Sequence, residues 1–101
     1  MGADASPADG MPSAVQAAFQ ALRARFLAGL PARWQEIEAA APGAVRRDAL
    51  HRLAGAAGSY GFEALGQAAR QAERLCAAGA DESAALAALH EQVAALLFTV
   101  R

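Results

Sequence analysis

A chain of 101 residues suits a single domain, and a domain of that size hides only about two-thirds of its unfolded surface, too little for a core plus a roomy substrate pocket. Apolar residues make up 55% of it but aromatics only 6%, with Ala dominant, which favours helices packed through small side chains over a sheet. Nine Arg and no Lys against ten Asp plus Glu give a net charge of −1 with no basic run, so nucleic acid is not an expected partner.

The longest apolar run, Val93 to Phe98, falls far short of the roughly 20 residues that a bilayer demands, so no membrane contact is expected. The single Cys76 can form no internal disulfide, and Met1 to Gly10 is polar and acidic, unlike a secretion signal. A cytoplasmic monomer is the expectation.

Met1 to Gly10 mixes Gly, Pro, Ser and Asp with almost no bulky apolar side chain, so residues 1–11 read as a disordered lead and 12–101 as the folded domain. After Pro12 and Ser13, the residues Val15, Phe19, Leu22 and Phe26 recur at helical spacing, which predicts a first helix ending near Gly29. Pro31 suits the first turn of a second helix, where its missing N–H has no partner to lose. Trp34, Ile37 and Ala41 give that helix an apolar stripe, and Pro42-Gly43 stops it.

From Val45 to Gly58 a third helix carries Leu50, Leu53, Ala54 and Ala57 on one face. A fourth, with Phe62, Leu65, Ala69, Ala72 and Cys76 inward, runs to Gly79. Asp81 or Ser83 can cap a fifth that carries Leu86, Leu89, Val93, Leu97 and Val100. Connections this short make successive helices antiparallel neighbours. The expected fold is therefore all-α, an antiparallel four-helix bundle with an additional short N-terminal helix.

The chemically loaded position is His51. At about 100° per residue it lies about 110° from the centre of its helix's apolar face, where the imidazole reaches solvent. Gly55 and Gly58 follow it on the same stripe, each costing roughly 0.5–1 kcal/mol relative to Ala inside a helix. Bare backbone beside a histidine lets a second protein bring a reactive group close to the ring, with Arg47 and Asp48 flanking one turn earlier. The bland alternative is that Gly58 belongs to the helix stop and Gly55 admits a neighbouring helix.

The run His51-Arg-Leu-Ala-Gly-Ala-Ala-Gly-Ser-Tyr-Gly61, continuing Phe-Glu-Ala-Leu, resembles the signature of histidine-containing phosphotransfer domains. That pattern reads His-x-Leu-Lys-Gly, then Gly ten residues past the His, then an apolar helix closing in an acidic or amide residue. Here His51, Leu53, Gly55, Gly61 and Ala72-Glu73 supply it, and the helical layout from about Val15 to Val100 fits the family's bundle.

The resemblance implies that His51 accepts a phosphoryl group from a receiver-domain aspartate and passes it to another receiver. It also implies that Glu73 lies near the ring to orient it. The protein is then a phosphoryl carrier without nucleotide-binding or kinase activity, binding no cofactor itself, with Mg²⁺ held by the partner receiver. One departure stands out: the family's usual Lys is Ala54. Arg47, Arg52 and Arg70 are candidate substitutes, and the sequence does not choose among them.

Glu73 falls on the inner side of its helix, where a carboxylate needs a partner. The alternative reading makes it a boundary residue paired with an Arg at the surface. His90, about 40° from the apolar stripe of the last helix, reads as a core-edge residue. Two histidines and one cysteine make no convergent metal site, and no Gly-rich loop follows a strand to hold a nucleotide. The rival to phosphotransfer is a docking module that binds and regulates a receiver or kinase without being phosphorylated.

Overall fold

The computed structural model describes residues 13–100, with side chains as far as Phe98. The lead expected over residues 1–11, and the side chain of Val100, lie outside them. Four helices make up the described chain: α1 (Ser13–Ala39), α2 (Ala44–Ser59), α3 (Glu63–Ala77) and α4 (Ser83–Val100). α1 packs on α2 and α4, and α3 packs on both of those, which closes an all-α four-helix arrangement around one core.

The two helices expected on either side of Gly29-Leu30-Pro31 are one. α1 runs unbroken for 27 residues with Pro31 inside it. A helix-interior Pro loses one hydrogen bond and strains the preceding turn, at a cost of about 3 kcal/mol. Opposing that cost, Phe26, Leu30 and Ile37 lie on one buried stripe that spans the proline, and Leu30 and Ile37 are fully enclosed. Each such side chain contributes roughly 1.5–3 kcal/mol on burial. Breaking the helix at Gly29 would swing one half of that stripe off the core, so no additional short helix forms among the described residues.

α1 is also longer than its partners, about 40 Å against about 24 Å for α2 at the standard rise per residue. Its first turns lie at the edge of the bundle, where Phe19 still meets Tyr60 at 6.2 Å between ring centroids. Val15, Phe19 and Leu22, expected in the core, are therefore exposed, whereas Phe26 on the same stripe is buried. Phe26 stacks on Phe62 at 5.4 Å between ring centroids and meets Tyr60 at 5.6 Å, which ties α1 to the α2–α3 turn. The Arg23 guanidinium lies over the Phe62 ring at 4.5 Å from its centroid.

The core faces of the later helices are those expected from the sequence. Leu50, Leu53, Ala54 and Ala57 of α2 are buried against Leu65, Ala69, Ala72 and Cys76 of α3. The contact between these two helices is made of small residues. A Cβ placed on Gly66 would sit 3.6 Å from both the Ala54 carbonyl oxygen and the Ala57 Cβ. In α4, Leu89 and Val93 are buried, with Leu86 and Leu97 half-buried beside them.

Both helix stops around α3 use the same device. Gly61 and Gly79 have positive φ, 82° and 70°, a region that a Cβ disfavours. Past each glycine the next N–H reaches five residues back: Phe62 donates to the Ala57 carbonyl at 2.9 Å and Ala80 to that of Leu75 at 2.9 Å. Gly61 thus sets the tight turn that brings α3 back alongside α2.

Arg46 holds the opposite end. Its guanidinium donates to the carbonyl oxygens of Ile37, Glu38 and Ala40, where α1 ends, and faces the buried Glu82 at 3.6 Å just before α4. Of Asp81 and Ser83, the two candidate caps of α4, it is Asp81 whose carboxylate accepts from the Ser83 N–H at 2.9 Å and the Ser83 hydroxyl at 2.7 Å. Those two bonds, the backbone one first, hold the Asp81 carboxyl below its ordinary value.

Candidate functional site

His51 stands on the outer side of α2, one residue past the enclosed Leu50, and its side chain is 75% exposed. Its Nδ1 lies 2.8 Å from Oε2 of Glu73 on α3. Glu73 follows the buried Ala72, so its carboxylate emerges at the seam between the two helices with only 23% of its side chain exposed. The close approach of α2 and α3 through Ala and Gly is what lets so short a side chain reach the ring.

The pairing has a chemical consequence. A carboxylate accepts hydrogen bonds, so it favours the tautomer with the proton on Nδ1 and leaves a lone pair on Nε2, away from Glu73 and toward solvent. The ring is fixed in orientation and its nucleophilic nitrogen is open. Any positive charge that develops on the imidazole after attack faces an anion.

Around the ring, His51, Gly55, Glu73, Arg70, Arg74 and Ala77 line a shallow cleft of about 340 Å³. A Cβ built on Gly55 would meet nothing within 4 Å, so this glycine does not serve helix packing. The residue that does so is Gly66, on the facing helix. Gly58 sits in the last turn of α2, and a Cβ there would lie 3.5 Å from Nη2 of Arg70. Arg47 and Asp48 are exposed one turn before His51, in a loose mutual contact of 3.8 Å.

The remaining cations are differently engaged. Arg52 is paired with Glu36 of α1 at 2.6 Å, and Arg74 donates to Gln71 Oε1 at 2.6 Å. Ala54 is only 3% exposed, inside the contact with α3. Arg74 and Ala77 were not distinguished in the sequence. Their only signal is helical spacing, Ala77 four residues past Glu73 and Arg74 four past Arg70, which many surface residues share.

His90 provides an internal comparison. It is exposed rather than at the edge of the core, and its ring stacks on Trp34 at 4.9 Å. The adjoining depression of about 360 Å³ is lined mainly by Pro31, Trp34, Val93, Leu97 and Phe98. No carboxylate pairs with His90 among the described residues, so nothing there holds a ring nitrogen as Glu73 holds Nδ1 of His51. Cys76 is buried, with its thiol toward the Gly43 carbonyl at 3.4 Å. Among the described residues no group of three or more His, Cys, Asp or Glu side chains is placed to hold a metal, and no helix is long and apolar enough to cross a membrane.

A family model for the Hpt domain matches residues 21–99, which include all of α2 and α3 and the His51–Glu73 pair. The chain belongs to the Hpt domain family. Hpt domains are phosphoryl carriers of phosphorelays, and histidine phosphotransfer with receiver domains is what membership implies. No curated protein and no solved structure shows significant similarity to the chain. Within this Hpt domain the signature positions have separate structural duties: Leu53 fills the core, Gly61 makes the turn, and Gly55 leaves open surface beside the exposed histidine.

Proposed function

We propose that His51 accepts a phosphoryl group from the phospho-aspartate of one receiver domain and passes it to the aspartate of another. The observation that carries this reading is the His51–Glu73 contact on an exposed helix face. The Nε2 lone pair attacks phosphorus, the P–N bond forms as the acyl P–O bond breaks, and the receiver recovers its carboxylate. The proton on Nδ1 stays opposite Glu73, so the step needs no separate base.

Phosphoryl transfer depends on positioning and charge stabilisation more than on covalent work by the protein. Mg²⁺ and the acidic residues that hold it belong to the receiver in this scheme. Gly55 and Gly58 give the receiver's active-site rim room to approach, and Arg47 and Asp48 meet it at the near end of the same face. Return transfer is the same displacement run backward onto a second aspartate.

The second reading, a docking module that regulates a receiver or kinase without carrying phosphate, is favoured by one observation, Ala54 where the family usually has Lys. The two readings part on whether label moves onward. Incubating the protein with a phosphorylated receiver, repurifying it, and adding a second unphosphorylated receiver should give label first on this chain and then on the second receiver. Binding to either receiver without any label on the chain would support docking instead.

A further inference from the structure

The position of Ala54 explains why a lysine there would serve this protein poorly. Ala54 is 3% exposed, and its carbonyl oxygen is 3.6 Å from the site of a Cβ on Gly66. α2 and α3 have closed on each other over this residue. A long cationic side chain would have to wedge out of that contact to reach the ring of His51. A phosphoryl group on Nε2 nevertheless brings nearly two negative charges, and the described structure around the ring holds one carboxylate already.

Four arginines lie within reach of this face, and three are occupied. Arg52 is turned to Glu36 on the α1 side, Arg47 rests against Asp48, and Arg74 donates to Gln71. Arg70 makes neither an ion pair nor a side-chain hydrogen bond among the described residues. It stands one turn before Glu73 on α3, lines the cleft with His51 and Gly55, and carries its guanidinium over the bare α-carbon of Gly58. Gly55, which lines that cleft with Arg70 and His51, leaves open surface there: a Cβ on it would meet nothing within 4 Å.

We propose that Arg70 is the phosphoryl-binding cation of this Hpt domain, replacing from α3 the charge that Ala54 does not supply from α2. The inference rests on the phosphocarrier reading above. Rotation about the Arg70 side chain moves the planar guanidinium along the stripe toward Nε2, where two N–H groups can donate to two phosphoryl oxygens. Arg70 gives up no proton in the step. It offsets charge on the phosphoryl oxygens while Glu73 offsets charge on the ring, and the guanidinium rests at ordinary contact distance, 3.5 Å, from the site of a Cβ on Gly58.

The test uses phosphoramidate, a donor too small to be affected by receiver docking, on the whole chain and its Arg70→Ala, Arg70→Lys and Arg74→Ala variants, with thermal melts of each. Arg70→Ala should label about tenfold more slowly than the parent, as expected for loss of one charge-assisted contact, Arg70→Lys should recover most of the rate, and Arg74→Ala, whose guanidinium lines the same cleft but is held by Gln71, should lose clearly less than Arg70→Ala. All four should melt together. A parent that labels while Arg70→Ala keeps pace overturns the assignment and leaves the phosphocarrier reading intact. So does a loss confined to Arg74→Ala, or a slow Arg70→Ala that melts early and is not rescued by Lys. A parent that labels from neither phosphoramidate nor any receiver ends the phosphocarrier reading itself, and the role of Arg70 with it.

Discussion

Nδ1 of His51 and Oε2 of Glu73 meet at 2.8 Å across the α2–α3 seam, although 22 residues separate them in the chain. The ring's second nitrogen is thereby left free on an exposed face. Glu73→Ala should remove the orientation and the compensating charge together and slow phosphoryl acceptance by about tenfold. Glu73→Gln keeps an acceptor oxygen and loses the charge, so its rate should fall between the two. Stopped-time labelling of the three proteins by one donor orders them.

Gly55 separates stability from partner access. Because a Cβ at this position meets nothing, Gly55→Ala should stabilise the fold by roughly 0.5–1 kcal/mol. Gly55→Leu should fold comparably yet accept phosphate from a receiver much more slowly, with a smaller loss from phosphoramidate, because the leucine stands in the path of Arg70 as well as of the receiver. Equal slowing with both donors would place the obstruction at the ring rather than at the docking surface.

Gly66 has the reverse character. Its Cβ position lies at ordinary contact distance, 3.6 Å, from the Ala54 carbonyl oxygen and the Ala57 Cβ. Gly66→Ala should be tolerated, and Gly66→Leu should cost about 1–3 kcal/mol or more as it forces the helices apart. The larger residue should also weaken phosphoryl acceptance by drawing Glu73 from His51, which chemical denaturation and labelling measured side by side will show.

Arg46 and Glu82 form a largely enclosed pair at 3.6 Å, with the guanidinium also serving the carbonyls at the end of α1. Arg46→Ala leaves both the carbonyls and a buried carboxylate without it, and should cost about 3–5 kcal/mol in urea unfolding. Glu82→Gln should cost much less, since the carbonyl contacts of Arg46 survive.

The capping bonds to Asp81 carry a pH dependence. A carboxyl whose value is lowered in the folded state contributes stability that is present above its ordinary value of 3.8 and lost as the pH falls through the lowered value. Asp81→Ala should therefore melt below the parent at neutral pH, and the gap should close on acidification through that window.

How much of this was legible in the sequence depended on whether the deciding interaction was local. The faces Leu50-Leu53-Ala54-Ala57 and Leu65-Ala69-Ala72 were readable because helical period and burial agree there. Pro31 misled because its local preference for a first turn was outweighed by the burial of Phe26, Leu30 and Ile37 on both sides of it. Val15, Phe19 and Leu22 have a buried helix's spacing, but α1 outruns the helices that would cover them.

Within the site, the exposure of His51 followed from its angle on α2. The partner of Glu73 did not: only the family signature brought it near the ring, since no spacing rule links residues on separate helices. The open surface at Gly55 and the packing role of Gly66 are alike in sequence, both being single glycines in Ala-rich helices, and only the position of α3 tells them apart. Arg46 had no sequence signal at all, because a buried arginine and an exposed one occupy equally polar positions in the pattern.

The most direct test of the account is labelling from a phosphorylated receiver, followed by mapping of the acid-labile phosphate, in the parent, His51→Gln and His90→Gln. The account predicts label on the parent and on His90→Gln, at the imidazole of residue 51, and none on His51→Gln. Label that persists in His51→Gln, or that disappears in His90→Gln, would contradict it.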